Sequence, residues 1–349
     1  MEYQFVDNKV ISPSGKIWEM GQPIAAGTYG SVVETNDGKI MKIQKTKDYK
    51  LPKVLPEIQI QQKLSLLEPG TCPIIYEYGV VYSETNIVHV VTIMQRCDGT
   101  VDRLFKKVHT IGIFMEWLDQ TATILHRLEK YEFNHRDLKP DNMMYRYRRG
   151  KYQFLLIDFG FACATFGDEK LAAALYYAPT EVCFRKSRDL SQLLYAFYHW
   201  HSDAFPPDVG NFVEQLLTFK TPKGKSCKMF ENKCSPYKID EWLDTYEFTN
   251  RSDIENPNAT PAAILESIEL FKTCLVADQP INLKKKTCVS PRSSARKTQR
   301  AILTSDKRKE TLQFYNAKPV KICPEGTVLN PPTQRCVKID GAIGKKLMS

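Results

Sequence analysis

The chain has 349 residues, 42% of them hydrophobic, and a formal net charge of +9. That is material for one large globular domain or two of ordinary size. No run of about eighteen apolar residues occurs, so no membrane-spanning helix is expected, and Met1-Glu2-Tyr3-Gln4 lacks the basic-then-apolar start of a secretory signal.

Residues 1–20 are mixed and carry little signal. From Ile24 to Val33 the chain reads as strand, tight turn, strand, a pattern that suits any hairpin. Lys39-Ile40-Met41-Lys42-Ile43 reads as a strand with Lys42 pointing away from its apolar neighbours. Lys39 and Lys45 are the alternatives, and the direct apolar flanks favour Lys42. Residues 53–67 have helical spacing, with Ile58, Leu64 and Leu67 apolar and Pro52 and Pro56 suited to a helix start. This start places Glu57 in the first turn, as the acid best placed to meet Lys42. Residues 74–82 and 87–94 are β-branched runs split by Ser83-Glu84-Thr85-Asn86, a predicted hairpin. Residues 111–131 form a helical stretch whose apolar face includes Ile113, Phe114, Trp117, Leu118, Ile124, Leu125 and Leu128.

That helix leads into His135-Arg136-Asp137-Leu138-Lys139-Pro140-Asp141-Asn142. Two apolar runs separated by a basic turn follow, and then Asp158-Phe159-Gly160. The pattern predicts a loop, a hairpin and a second loop, with Asp137, Asn142 and Asp158 held at one mouth. Phosphoryl transfer asks for oxygen ligands to Mg2+, a carboxylate at the attacking hydroxyl and cations on the phosphates. Asn142 and Asp158 can supply the first, Asp137 the second and Lys139 part of the third. An isolated Asp-Phe-Gly is common turn chemistry; the eight-residue run some twenty residues upstream makes coincidence a poor account.

These two runs resemble the catalytic-loop pattern of the eukaryotic protein kinases. The resemblance covers roughly residues 20–277. It implies an α+β, bilobal fold with a small β-rich lobe and a larger helical lobe, and ATP and Mg2+ as cofactors. Gly27 and Gly30 then match the second and third glycines of the phosphate-covering loop, with Ala25 where the first is usual and Val32 against the adenine ring. Lys42 would contact the α- and β-phosphates and pair with Glu57. Backbone groups of Gln95 and Cys97 would hold adenine, with Met94 guarding the back of the pocket. Asp137 would accept or orient the substrate hydroxyl proton. Lys139 is similar to the residue of the serine/threonine class, so protein hydroxyl groups are the expected substrates.

Ala178-Pro179-Thr180-Glu181 resembles the end of a kinase activation segment, with one insertion. Ala173 falls where serine/threonine kinases carry a threonine that bonds the catalytic aspartate. Thr165 is the only phosphorylatable residue between Gly160 and Tyr176. Asp168 or Glu169 is therefore expected to pair with Arg136 in place of a phosphate, giving a constitutively active enzyme. Asp189 is read both as a helix cap and as the partner of the catalytic-loop backbone. The ten cysteines show no dense framework. They imply a reducing compartment, in which Cys163 and Cys183 are plain core or loop thiols.

Irregular helices are expected over residues 205–260 and a last helix over 261–275, so that a kinase domain spans 1–277. Residues 278–320 read as a mobile basic linker. Residues 278–349 carry +11 and the remainder −2, so the tail is expected to meet an acidic protein partner. A solvated charge run is favoured there over a nucleic-acid patch. Residues 321–349, with Cys323, Asn330, Pro331, Arg335, Cys336 and Ile339-Asp340-Gly341, resemble the two-cysteine adaptor segment on proteins of large DNA viruses such as the iridoviruses. That resemblance implies an intracellular setting, host cytoplasm or virion, and a viral or host docking partner. The competing reading of the whole chain is a catalytically weak or pseudokinase scaffold, to which Ala25 and Ala173 point.

Overall fold

The computed structural model describes residues 2–7, 9–27, 30–47, 50–82, 87–173, 183–221, 224, 226–231, 255–289, 327–330 and 335–338. The chain divides into two compact units, Met1–Arg146 with Gln153–Ser294, and Tyr147–Tyr152 with Ala295–Ser349.

The N-terminal part of the first unit is rich in strands. These are β1 (Gln4–Val6), β2 (Lys9–Ile11), β3 (Ile17–Gly27), β4 (Gly30–Thr35), β5 (Ile40–Lys47), β6 (Ile75–Tyr82) and β7 (Ile87–Met94). They form one sheet in the order β1-β2-β3-β4-β5-β7-β6. The helix α1 (Leu51–Leu67) lies between β5 and β6 in sequence. β7 shows why the sheet is stable. Its side chains alternate, so Val91 and Ile93 join one core while Val88 and Val90 join another, against Leu51 and Ile58 of α1. A strand covered on both faces needs a near-continuous apolar run, and this one has it.

Residues 1–20, unremarkable as a sequence, turn out to complete this sheet. Tyr3, Val10 and Trp18 are buried with Val33, Met41 and Val81, and the Tyr3 and Trp18 rings stack at 6.3 Å. Glu2 bridges Val80 in parallel fashion, and the Tyr3 N–H donates to the Val80 carbonyl at 2.8 Å. The residues just before the first strand thus touch the last strand in the sheet order.

α1 begins at Leu51, a full turn before Pro56. Pro52 is the proline at the helix start, and Pro56 sits inside the helix at the cost of one backbone hydrogen bond. Glu57 accordingly lies in the second turn, not the first. The helix ends at Glu68, whose buried carboxylate accepts from Arg127 Nε at 3.0 Å, Arg127 Nη2 at 2.6 Å and Tyr131 Oη at 3.2 Å. It also pairs with Lys130. These partners belong to the end of α3 (Ile111–Leu128) and the turn after it, so Glu68 ties the strand-rich part to the helical part. The Lys130 ammonium, and after it Arg127, holds the Glu68 carboxyl below its ordinary value of 4.5. Its stabilising contribution is therefore complete above about pH 4.5 and is lost as pH falls through the lowered value. Glu68→Gln should cost about 1–2 kcal/mol at pH 7, because both cations keep solvent access. Urea melts should show that gap narrowing as pH falls below 4.5; a gap independent of pH would refute the ionic account.

The C-terminal part of this unit is built around α3, capped by Thr110, whose hydroxyl accepts from the Ile113 N–H at 3.2 Å. Before it come β8 (Gly99–Thr100) and α2 (Val101–Phe105), and after it β9 (Met143–Arg148), β10 (Lys151–Leu156), β11 (Cys163–Phe166) and β12 (Glu169–Ala172). Then follow α4 (Arg188–Trp200), α5 (Pro207–Leu216), the hairpin β13 (Thr218–Lys220) and β14 (Ser226–Lys228), and α6 (Pro261–Val276). Aromatic rings knit these helices. Phe105 meets Trp117 edge-on at 4.9 Å, Phe114 meets Phe197 at 4.9 Å, and Phe212 stacks on Phe271 at 4.4 Å. No described helix is long and apolar enough to cross a membrane.

Order continues past residue 277. β15 (Ile281–Asn282) and β16 (Thr287–Cys288) form a hairpin, and a disulfide joins Cys274 of α6 to Cys288 with the Cα atoms 5.2 Å apart. Gln215 exchanges hydrogen bonds with the Leu283 N–H and the Ile281 carbonyl. Residues 281–289 are thus not an unpatterned linker; two-residue strands are too short to leave a periodicity. In the second unit β17 (Thr327–Asn330) pairs antiparallel with β18 (Arg335–Lys338), which contains Cys336. The rest of the adaptor-like segment, and residues 290–320, lie outside the described residues.

Candidate active site

The site begins with one row across the sheet. Ala25 pairs in register with Val32, Val32 with Lys42, and Lys42 with Thr92. Directly paired residues share a face, so Lys42 and Val32 project together. Lys42 Nζ donates to Glu57 Oε1 at 2.9 Å, joining β5 to α1. Gly27 pairs with Gly30 across a turn whose Thr28 and Tyr29 lie outside the described residues. Gly30 has φ 154°, and a Cβ there would fall 2.0 Å from the Ile43 carbonyl oxygen. Only glycine lets the two strands approach so closely.

At the edge of this face the Gln95 N–H donates to the Ile74 carbonyl at 2.8 Å. Its amide is committed, so any contact of Gln95 with an adenine would use its carbonyl. Cys97, half-buried, follows two residues later.

Opposite stands the loop before β9. Lys139 Nζ donates to both carboxylate oxygens of Asp137, at 3.1 and 2.9 Å. Asn142 Nδ2 donates to Asp137 Oδ2 at 2.9 Å and to the Asp137 carbonyl at 2.8 Å. With its amide nitrogen so used, Asn142 presents its oxygen elsewhere, as a metal ligand requires. The Ile157 N–H donates to the Asn142 carbonyl at 3.0 Å, which fixes the neighbouring Asp158 beside this loop. Asp158 is exposed and left-handed, φ 64°. A Cβ at Gly160 would lie 3.4 Å from Asp158 Oδ1 and 3.7 Å from Glu57 Oε2, so the two carboxylates flank this glycine. Phe159 is buried against Phe133 and His135, and His135 Nε2 donates to the Ile157 carbonyl at 2.8 Å.

Beneath the loop, Asp189 of α4 accepts the N–H groups of His135 at 2.7 Å and Arg136 at 2.9 Å, and Asn134 Nδ2 at 3.1 Å. Both readings of Asp189 were open in the sequence; its side chain serves the loop, and α4 has no side-chain cap bond.

The protein kinase domain family matches residues 18–200. This chain belongs to that family. It is similar to calcium-dependent protein kinase 3 of Plasmodium yoelii yoelii, 27% identical over 218 residues, or 58% of this chain and 39% of that one. It is also similar to calcium/calmodulin-dependent protein kinase type I of Schizosaccharomyces pombe, 28% identical over 167 residues, or 44% and 47% of the two chains. The chain thus spans less than half the length of these relatives.

Within the kinase domain two expectations need correction. Glu169 does not reach Arg136. It lies opposite Phe166 at the tip of the β11–β12 hairpin, and its Oε2 accepts from Lys63 Nζ of α1 at 2.7 Å. Asp168 is exposed in the turn, while Arg136 is buried. Ala173 donates its N–H to the Ala162 carbonyl at 2.9 Å, closing the base of that hairpin, and Asp137 is held by Lys139 and Asn142. Second, Cys163 and Cys183 are not separate thiols but a disulfide, Cα atoms 6.0 Å apart. A sequence separation of 20 hides such a pairing from any local pattern. Tyr176, Tyr177 and residues 178–181 lie outside the described residues.

The Lys63–Glu169 pair was not foreseen, because neither residue belongs to a signature. Lys63 also lies over the Phe166 ring at 5.4 Å, and Thr165 donates to Glu132 at 3.1 Å. The hairpin therefore presses on the helix that carries Glu57. The pair is half-exposed and is worth only about 0.2–1 kcal/mol. Glu169→Lys should lower activity about two- to fivefold at low salt, less at high salt. Adding Lys63→Glu should restore part of it; a swap that deepens the loss in steady-state assays would refute the pairing.

Proposed function

We propose that this chain is a serine/threonine protein kinase that transfers the γ-phosphate of ATP to protein hydroxyl groups. The observation that carries the reading is Asp137, held through both carboxylate oxygens by Lys139 and by Asn142 within one loop. Such a carboxylate is oriented to accept a hydroxyl proton, and Lys139 is placed to meet phosphate charge once substrate enters. Lys42, Glu57, Val32, the Gln95–Cys97 segment and the Gly27–Gly30 turn would bind the nucleotide.

Protein kinases use ATP and Mg2+ generally. The donors here fit Mg2+: a carboxylate on Asp158 and an amide oxygen on Asn142, hard oxygen ligands too few to hold the ion without phosphate oxygens. When bound, Mg2+ would neutralise charge on the phosphates; orientation of the hydroxyl falls to Asp137.

The proposed organisation is bilobal, with the basic residues after 289 acting as a tail that docks an acidic protein partner inside the cell. The adaptor-like segment suggests a viral protein in host cytoplasm or virion. The deciding assay incubates purified full chain with labelled ATP, Mg2+ and a generic basic protein. Label on serine or threonine supports the proposal. Label confined to tyrosine, or no transfer, overturns it.

A further inference from the structure

The Cys163–Cys183 disulfide encloses most of the segment between Asp158 and α4. Its two halves are anchored in the same place. Cys163 exchanges both backbone hydrogen bonds with Asn134, at 2.9 and 3.0 Å. Two residues beyond Cys183, the Arg185 N–H donates to Asn134 Oδ1 at 2.6 Å, and Asn134 Nδ2 donates to the Arg185 carbonyl at 3.1 Å. Asn134 immediately precedes the loop that carries Asp137. The disulfide therefore closes a ring whose base is Asn134, the residue next to the catalytic loop.

The site also suits the reduced state. Cys183 Sγ lies 3.5 Å from the Glu132 carbonyl oxygen. A disulfide sulfur has no proton to offer there, whereas a Cys183 thiol would find its acceptor in place. Cys163 is buried and Cys183 is partly exposed, so one sulfur is open to attack and the other is shielded. Both oxidation states thus have a bonding arrangement at this position, as a reversible site needs.

We propose that Cys163 and Cys183 form a thiol–disulfide exchange site that tightens the activation segment when oxidised, with a dithiol reductant as its chemical partner. This rests on the kinase reading. A thiolate of the reductant attacks Cys183 Sγ, the Sγ–Sγ bond breaks, and Cys163 leaves as a thiolate that takes up a proton. The second thiolate of the reductant then attacks its own sulfur in the mixed disulfide. Cys183 is released and protonated, and the reductant leaves as its cyclic disulfide. Two electrons pass from dithiol to protein, and two protons end on the cysteines. Reduction leaves the Asn134–Arg185 bonds intact, so it removes the cross-link without unfolding the domain. The nucleotide site involves neither cysteine, so ATP binding is unaffected.

The test uses the full chain equilibrated in oxidised or reduced dithiothreitol. Non-reducing peptide mapping should find the 163–183 cross-link only under oxidation. Limited proteolysis within 164–182 should be slower in the oxidised form, and peptide KM should be about threefold or more lower, since the cross-link restricts the loosened states. ATP KM should not move. Cys183→Ser should abolish the redox dependence, and a Cys274→Ser, Cys288→Ser double variant should keep it. Failure to form the cross-link overturns the proposal, as does a cross-link that changes neither proteolysis nor peptide KM. If neither form transfers phosphate, the kinase reading fails, and the proteolysis result still decides whether the staple exists.

Discussion

Replacing Asp137 by asparagine should lower turnover by about 10²–10⁴-fold, the range removed with a general base. The substitution preserves size, so the argument rests on bonding. In the wild-type loop the carboxylate accepts from Lys139 at two oxygens and from Asn142 at one. An amide offers one acceptor oxygen, turns a donor toward the other partner, and cannot take a proton from a hydroxyl. Lys139 also loses its ion partner. ATP binding should change little, because Lys42 and Glu57 make their own contact on the opposite side of the site. The measurement is a pair: steady-state transfer to a protein substrate, and nucleotide affinity by titration calorimetry. Wild-type turnover in the variant would remove Asp137 from the chemistry and, with it, the main support for the proposed function.

How far the sequence was legible depends on how local each signal is. The helix over residues 111–131 was readable because its apolar positions repeat at helical spacing; α3 occupies most of that span. The run from His135 to Asn142 was readable because the residues that hold Asp137, namely Lys139 and Asn142, lie within the same short loop. The N-terminal strands were not. Tyr3, Val10 and Trp18 each gain their burial from residues far along the chain, and three-residue strands are too short to show alternation. Pro56 misled because proline usually opens a helix, whereas here Pro52 does so and packing of Ile58 and Leu64 carries the helix through. Glu68, Lys63 and the actual partner of Glu169 were invisible for a different reason. A charged residue on a helix or hairpin reads as solvated until its distant partner is known. The disulfides follow the same rule: spacing in sequence does not reveal which sulfurs meet.

Asp189→Ala should have the largest effect on stability. The residue is 2% exposed, and its carboxylate accepts three hydrogen bonds from Asn134, His135 and Arg136. It lies in the first turn of α4, where the helix dipole also favours negative charge. Truncation leaves the backbone N–H groups of His135 and Arg136 in the interior without that acceptor. An unsatisfied buried donor costs about 1–3 kcal/mol, more where the lost partner is charged, so the loss should reach about 3 kcal/mol or more. Domain stability is about 5–15 kcal/mol in total, which makes this a large fraction. Arg136 adds a local reason: its backbone is left-handed, φ 67°, an unfavourable conformation for a residue with a Cβ. The bond from its N–H to Asp189 helps to hold it there. Asp189→Asn should cost roughly half as much, since the amide keeps one oxygen but faces the other N–H with a donor. Urea unfolding gives the stabilities, and amide exchange at residues 135 and 136 reports the loop directly. Exchange there should accelerate in both variants, more in Asp189→Ala. An alanine variant with an unchanged unfolding midpoint and protected amides at 135 and 136 would mean that the loop is held by other contacts.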